Sequence, residues 1–281
     1  MNLPASRSCR LAQTLDRPPL FQTPEGRSLG RMRLNVDVFA SLLYPSSCSL
    51  CGRPFHVPRG PSLCASCRNR LRTRENTCVY CAHPSSGSCC AACQAQPPPF
   101  RRTEALFLYG PRTPGQSAIF RWKIGGDRAT GEALARTLAR QIAHKLGPVD
   151  GVVPIPGRRL AAAWRGFDTA YLLAEILCKE LHGPGSIFEK VLQRRTIWHG
   201  GRPAGRRRAR KRLGGALYQA GPMPVPRGAH LLLVDDIMTT QASARRCAAL
   251  LLAAGADRID VAVVGRTIAR PSVLRARGFA Q

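Results

Sequence analysis

Eight cysteines fall into four Cys-x2-Cys pairs, Cys48 with Cys51, Cys64 with Cys67, Cys78 with Cys81 and Cys90 with Cys93, and form the densest chemistry in this 281-residue sequence. The two thiolates of such a pair reach one cation from a tight turn. Two pairs complete a tetrahedral four-sulfur shell whose softness and geometry select zinc. Twelve residues separate Cys51 from Cys64 and eight separate Cys81 from Cys90, and eight thiolates predict about two zinc ions. Sequential pairing, first with second and third with fourth, is expected; a cross-braced arrangement would use the same residues. Closed shells of this kind leave no position for water, so the role is structural. Redox Cys-x2-Cys motifs come singly rather than in fours. His56 and His83 lie near enough to substitute as ligands and are read as surface histidines.

The second chemical signal is the stretch HLLLVDDIMTTQASARR at residues 230–246. Asp235 and Asp236 end an apolar run, and Thr239, Thr240 and Ser243 follow within a short turn. Packing explains two adjacent acids poorly, because successive side chains of a strand face opposite ways and neither carboxylate is cheap to bury. Carboxylates accept hydrogen bonds from the vicinal hydroxyls of a ribose. A turn that opens a helix offers backbone N–H groups and hydroxyls to a phosphate. The two together describe a ribose 5-phosphate unit.

The elements that must position these residues are legible around them. TEALFLYG reads as a strand. DRATGEALARTLARQIAHKLGP places Leu134, Leu138, Ile142 and Leu146 on one helical face before Gly147 and Pro148. VDGVVPIP is a short buried strand, and FDTAYLLAEILCKELHGPG a helix with Asp168 or Thr169 as candidate cap and Gly183 as stop. LLLVDDIM is apolar on both faces, as a central parallel strand covered by helices should be. SARRCAALLLAAGA is a helix closed by Gly255, and RIDVAVVGRT one more strand. The alternation predicts an α/β fold with an open, mostly parallel sheet, whose ligands sit outside the carboxyl ends of the strands.

Composition sets the organisation. Lys and Arg number 43 against 16 Asp and Glu, a formal charge of +27, which favours a polyanionic partner because each cation placed on a phosphate releases a counterion. Nine of those cations fall in residues 194–212, a segment without an acid, in which Arg206, Arg207, Arg208 and Arg210 are candidate nucleic-acid contacts. No run of 18 apolar residues exists, which argues against a membrane-spanning helix. The first 34 residues lack the apolar core of a signal peptide and read as a disordered basic tail, with Met32 as a candidate start. A cytoplasmic location follows as an expectation, and it again favours metal over disulfides for the cysteines. Residues 35–96 are expected to form the zinc module, the Pro-rich QAQPPPF its linker, and residues 97–281 the α/β domain with a flexible loop at 194–212.

The stretch LLLVDDIMTTQAS resembles the phosphoribosyl pyrophosphate (PRPP) signature of the type I phosphoribosyltransferases. That resemblance implies a sheet of that kind, with Asp235 and Asp236 on the ribose hydroxyls and Thr239, Thr240, Gln241, Ala242 and Ser243 around the 5′-phosphate. The sequence departs at Gln241, where the family has Gly or another very small residue; a side chain there opposes a positive φ that Gly accepts freely. With the cysteine pairs, residues 36–268 resemble the ComF family of competence proteins, a double zinc ribbon followed by a phosphoribosyltransferase-like domain. FRWKIGGD matches a family segment and nominates Lys123 as a catalytic residue. VVPIPGRRLAAAWRGFDTAYLLAEIL matches another, where the family has Asn at Asp168, and nominates Arg158, Arg159 and above all Arg165 for the pyrophosphate. In the basic segment Arg195, Thr196 and Arg207 fit the family, His199 stands for Gln and Arg210 for Asn.

The resemblance implies natural transformation as the setting. It points to single-stranded DNA and PRPP with Mg²⁺ as ligands, and to a competence helicase or a DNA-uptake channel as candidate partners. A homodimer is an expectation by analogy alone. Two functions fit these residues. One is a PRPP-binding protein acting in DNA handling, with phosphoribosyl transfer as an added activity and Trp164 or Trp198 as stacking platforms for bases. The other is a phosphoribosyltransferase of nucleotide metabolism or salvage with no direct DNA role.

Overall fold

A computed structural model of the chain describes residues 47–55, 62–72, 76–111, 113–182, 187–195 and 217–268. The expected basic tail, His56, Thr196, Trp198, His199, Arg206, Arg207, Arg208 and Arg210 lie outside them. Two short helices, α1 (Ala65–Leu71) and α2 (Ala91–Ala95), each start at a cysteine of the pairs. The order continues β1 (Thr103–Tyr109), α3 (Pro114–Lys123), α4 (Arg128–Ile142), β2 (Gly151–Pro154), α5 (Arg159–Arg165) and α6 (Thr169–His182). It ends with β3 (Leu192–Arg194), β4 (Tyr218–Ala220), β5 (His230–Met238), α7 (Ala242–Ala253) and β6 (Arg258–Thr267).

Four strands make a parallel sheet in the order β1-β6-β5-β2, and β3 pairs with β4 as a separate antiparallel hairpin. The α/β architecture expected from the alternation is the one observed. Leu231, Leu232, Leu233 and Val234 are fully buried, as required of an interior strand covered on both faces. One face packs Leu134, Leu138 and Ile142 of α4 and Leu172, Leu173 and Leu177 of α6, together with Cys48, Leu63, Cys67 and Leu71 of the cysteine module. The other carries α7 and the hairpin, through Cys247, Ala248, Leu251 and Tyr218.

Capping explains where α4 and α6 begin. Asp127 accepts the Thr130 N–H at 2.9 Å at the start of α4. Asp168 accepts the N–H groups of Ala170 and Tyr171 at the start of α6, each a side-chain oxygen on an otherwise orphaned donor. Helix α4 stops at Ile142, short of the Gly147 and Pro148 that the sequence marks, and Leu146 follows in a turn.

The short helices α1 and α2 of the cysteine module were not legible beforehand, nor were α3, α5 and the β3-β4 hairpin. In α3 the fully buried Trp122 sits over Gly131 of α4, where a Cβ would fall 2.1 Å from the indole nitrogen; this close approach fixes α3 and the Lys123 at its end. Among the described residues no helix is long and apolar enough to cross a membrane.

Candidate functional site

The cysteines gather into two sets, Cys48, Cys51, Cys64 and Cys67, then Cys78, Cys81, Cys90 and Cys93, with all ligand atoms of a set within 4.8 Å of one another. This is the sequential pairing. The Cys51 and Cys64 sulfurs are 3.8 Å apart and those of Cys81 and Cys90 3.7 Å; a tetrahedron with Zn–S near 2.3 Å has edges of about 3.8 Å. Backbone N–H groups of Cys64 and Cys67 point at the sulfurs of Cys48 and Cys64.

Burial pushes the Cys48 thiol up, but the N–H groups of Cys64, Cys51 and Leu50 outweigh it and bring it down to about 6. Hydrogen bonding from Cys81 brings Cys78 to about 4. Cys67 and Cys81 move the opposite way, Cys67 mainly through burial and Cys81 mainly through Cys78. Four sulfurs this close ionise together only around a cation, and the donor set fits two structural zinc ions. His83 turns its Nδ1 to the Pro84 carbonyl and belongs to neither set.

At the carboxyl end of β5 a concavity of about 270 Å³, counting the open solvent at its mouth, is lined by Asp235 and residues 237–244. Asp235 is half-buried at its floor. Burial, reinforced by the Asp236 charge, holds its carboxyl well above the usual carboxylate range, although the Asp236 N–H donates to Asp235 Oδ1 at 2.8 Å. Thr239 and Thr240 are exposed at the rim. Gln241 begins α7 without placing a side-chain oxygen on the first-turn N–H groups, which leaves those donors facing an incoming anion. Ser243 Oγ accepts a hydrogen bond from the Tyr218 hydroxyl at 3.2 Å, and Arg194 lies over the Tyr218 ring at 5.5 Å.

The two acids are not equivalent. Strand alternation turns Asp236 to the other face, where it is 7% exposed. Its Oδ2 accepts Lys123 Nζ at 2.8 Å and the Thr169 hydroxyl. Asp235 therefore opens to the concavity and Asp236 to the end of α3. Arg165 does not line the concavity: its Nη1 lies 3.4 Å from the Lys123 carbonyl oxygen, which joins α5 to the end of α3. Arg158 and Arg159 are exposed at the start of α5.

The double zinc ribbon domain family matches residues 39–95. The DNA utilization protein YhgH of Escherichia coli K12 is 29% identical over 235 residues, which cover 81% of this chain and all of that protein. The protein of the same name from Salmonella typhimurium LT2 is 28% identical over 237 residues, with the same coverage. The chain is thus similar to these proteins over most of its length, in keeping with the resemblance to the ComF family, and carries a double zinc ribbon at residues 39–95. Among solved structures, UMP synthase of Leishmania donovani overlaps 54% of this chain and 26% of that one, at 14% identity and a TM-score of 0.30. The chain thus spans about a quarter of that enzyme's length, and so slight a likeness has no bearing on the site.

Sequence reasoning passed over two residues of this site. Of the two candidate caps of α6, Asp168 is the one that caps it, and the buried Thr169 hydroxyl instead serves Asp236. Arg266, 5% exposed at the end of β6, donates to the Met238 and Thr239 carbonyls that lead into the concavity. An arginine closing the apolar run of β6 was the only signal for it.

Proposed function

We propose that this protein binds a ribose 5-phosphate unit, as PRPP with Mg²⁺, and acts in the handling of single-stranded DNA. One observation carries the ligand: Asp235, the Thr239–Ser243 turn and the N-terminus of α7 share one concavity at the carboxyl end of an interior strand, where ligands of open α/β sheets bind. Asp235 receives the ribose hydroxyls. The first-turn N–H groups and the Thr239 and Thr240 hydroxyls receive the 5′-phosphate. Mg²⁺ is held by one or two carboxylates plus substrate phosphates, so the single carboxylate on the concavity suits it; when bound, it neutralises pyrophosphate charge. Lys123 balances the Asp236 charge beside that edge, and Arg158, Arg159 and Arg165 supply cations for the pyrophosphate.

The DNA role is supported by the name of the relatives, DNA utilization protein, by the charge of +27, and by helix α5, which buries none of its residues. Trp164 is 73% and Leu160 87% exposed there, and Phe120 and Ile124 are exposed on and just beyond α3. An exposed indole among Arg158, Arg159 and Arg165 is what base stacking along a backbone-tracking groove requires. Arg206, Arg207, Arg208 and Arg210 remain the candidate phosphate contacts.

Pyrophosphate release from PRPP, measured with and without single-stranded DNA and across a panel of bases, tests this reading. A DNA-binding protein that holds PRPP is expected to show release that depends on DNA or no release at all. Steady release with a free base, indifferent to DNA, in a protein that does not bind DNA would establish nucleotide salvage instead.

A further inference from the structure

The second zinc set and the phosphate-side turn are joined by contacts that ligand binding does not need. Gln241 has φ 63° and ψ −7°, a left-handed conformation that a residue with a Cβ keeps only when its surroundings impose it. Its side chain leaves the turn and reaches the metal set, with Nε2 3.7 Å from the buried Cys93 sulfur. Arg266 donates through Nε to the Cys81 carbonyl at 2.6 Å and through Nη1 to the carbonyls of Met238 at 3.0 Å and Thr239 at 2.6 Å. Arg245, in the first turn of α7, donates to the carbonyls of Gln96 and Pro97 just beyond α2. The turn is thus gripped at its entry, its apex and its exit, and each grip ends on the second ribbon or the residues that follow it.

We propose that the second zinc shell forms a wall of the ribose-phosphate pocket. Gln241 and Arg266 act as positioning residues that pass the geometry of the Cys78, Cys81, Cys90 and Cys93 shell to the turn at 239–243, so zinc and the phosphate ligand bind cooperatively. This rests on the pocket reading given above. A metal-bound thiolate accepts the Gln241 amide N–H more strongly than a neutral thiol does, and that bond holds the left-handed backbone in place. Outer partners of metal ligands alter metal affinity by about 10- to 100-fold. By linkage, the factor by which zinc tightens the ligand equals the factor by which the ligand tightens zinc. The first ribbon is the internal control, because its knuckle is held by Thr130 and Arg121, through the carbonyls of Ser49 and Leu50.

The test is competition between the full zinc-loaded chain and a chelator, which yields two zinc affinities, repeated at saturating PRPP with Mg²⁺ and at saturating ribose 5-phosphate. One site is expected to tighten by roughly tenfold and the other to stay unchanged. Gln241→Gly accepts the backbone conformation freely and removes the sulfur contact, so it should abolish most of that tightening. Without ligand it should weaken one zinc site by about tenfold. Arg266→Lys, checked for intact fold by circular dichroism, should act in the same direction. Calorimetry on the same samples separates the two claims. If neither sugar phosphate binds, the pocket reading fails, and the ligand-free effect of Gln241→Gly alone decides the ribbon-to-turn link. A ligand that binds while both zinc affinities stay put overturns the proposal, as does an unchanged zinc affinity in Gln241→Gly.

Discussion

Lys123→Met removes the only cation paired with Asp236 among the described residues, and the cost follows from where the two groups sit. Asp236 keeps 10% of its side chain exposed and Lys123 25%, with 2.8 Å between their charged atoms. Breaking a buried pair from one side costs roughly 3–5 kcal/mol. Lys123 is partly wet, so its loss should cost about 2–3 kcal/mol, at or just below the low end of that range. For a unit of this size that lowers Tm by roughly 5–10 °C. Asp236→Asn should cost less, about 1 kcal/mol, because the freed lysine swings its ammonium into water while its stem stays packed. Combining the two should restore part of the loss, with a coupling energy of about 1–2 kcal/mol in a double-mutant cycle by urea denaturation. Strict additivity, or a Lys123→Met chain as stable as the parent, would refute the counter-ion role.

Further expectations concern metal, pH and DNA. Metal analysis of the purified chain should return about two zinc ions, as eight thiolates in two closed sets require; a zinc-free folded protein would contradict the ribbon assignment. Asp235 has its carboxyl raised by burial and by Asp236, so its protonated form favours the fold, and that contribution fades as pH rises through the raised value. Asp235→Asn should therefore stabilise the chain by an amount that grows above pH 3.8, the ordinary carboxylate value; a pH-independent difference in urea midpoint would refute this. For DNA, Trp164→Ala should weaken single-stranded binding by roughly 5- to 100-fold, the loss of one stacked base. Neutralising Arg206, Arg207 and Arg208 should flatten the salt dependence by up to about three phosphates' worth, and a slope indifferent to those changes would place the DNA elsewhere.

The parts of the fold read from sequence are those whose pattern records burial. The run at 231–234 reported a strand covered on both faces, Leu134, Leu138 and Ile142 reported the buried face of α4, and the cysteine spacings reported two shells. Helix α5 escaped because its apolar couple, Leu160 and Trp164, faces solvent, so periodicity had no core to report. Strands β3 and β4 are three residues each and far apart in sequence, too short to register as alternation. At the site, adjacency of Asp235 and Asp236 suggested two equal carboxylates, whereas the pleat sends them to opposite faces. The contacts that hold the turn were illegible for a different reason: Gln241 meets Cys93 across 148 positions and Arg266 meets Cys81 across 185. Only the folded chain brings them together, and what looked like a misplaced side chain at Gln241 is a link to the second ribbon.

The central claim is that Asp235 and the turn at 239–243 hold a ribose phosphate. Calorimetric titration of PRPP with Mg²⁺ into the zinc-loaded chain, beside Asp235→Asn, tests it most directly. The parent should bind and Asp235→Asn should bind at least about tenfold more weakly, the loss of one charged hydrogen-bond acceptor, while its thermal unfolding shows an intact and slightly more stable fold. Equal affinities in the two proteins, or no heat from either, would contradict the claim.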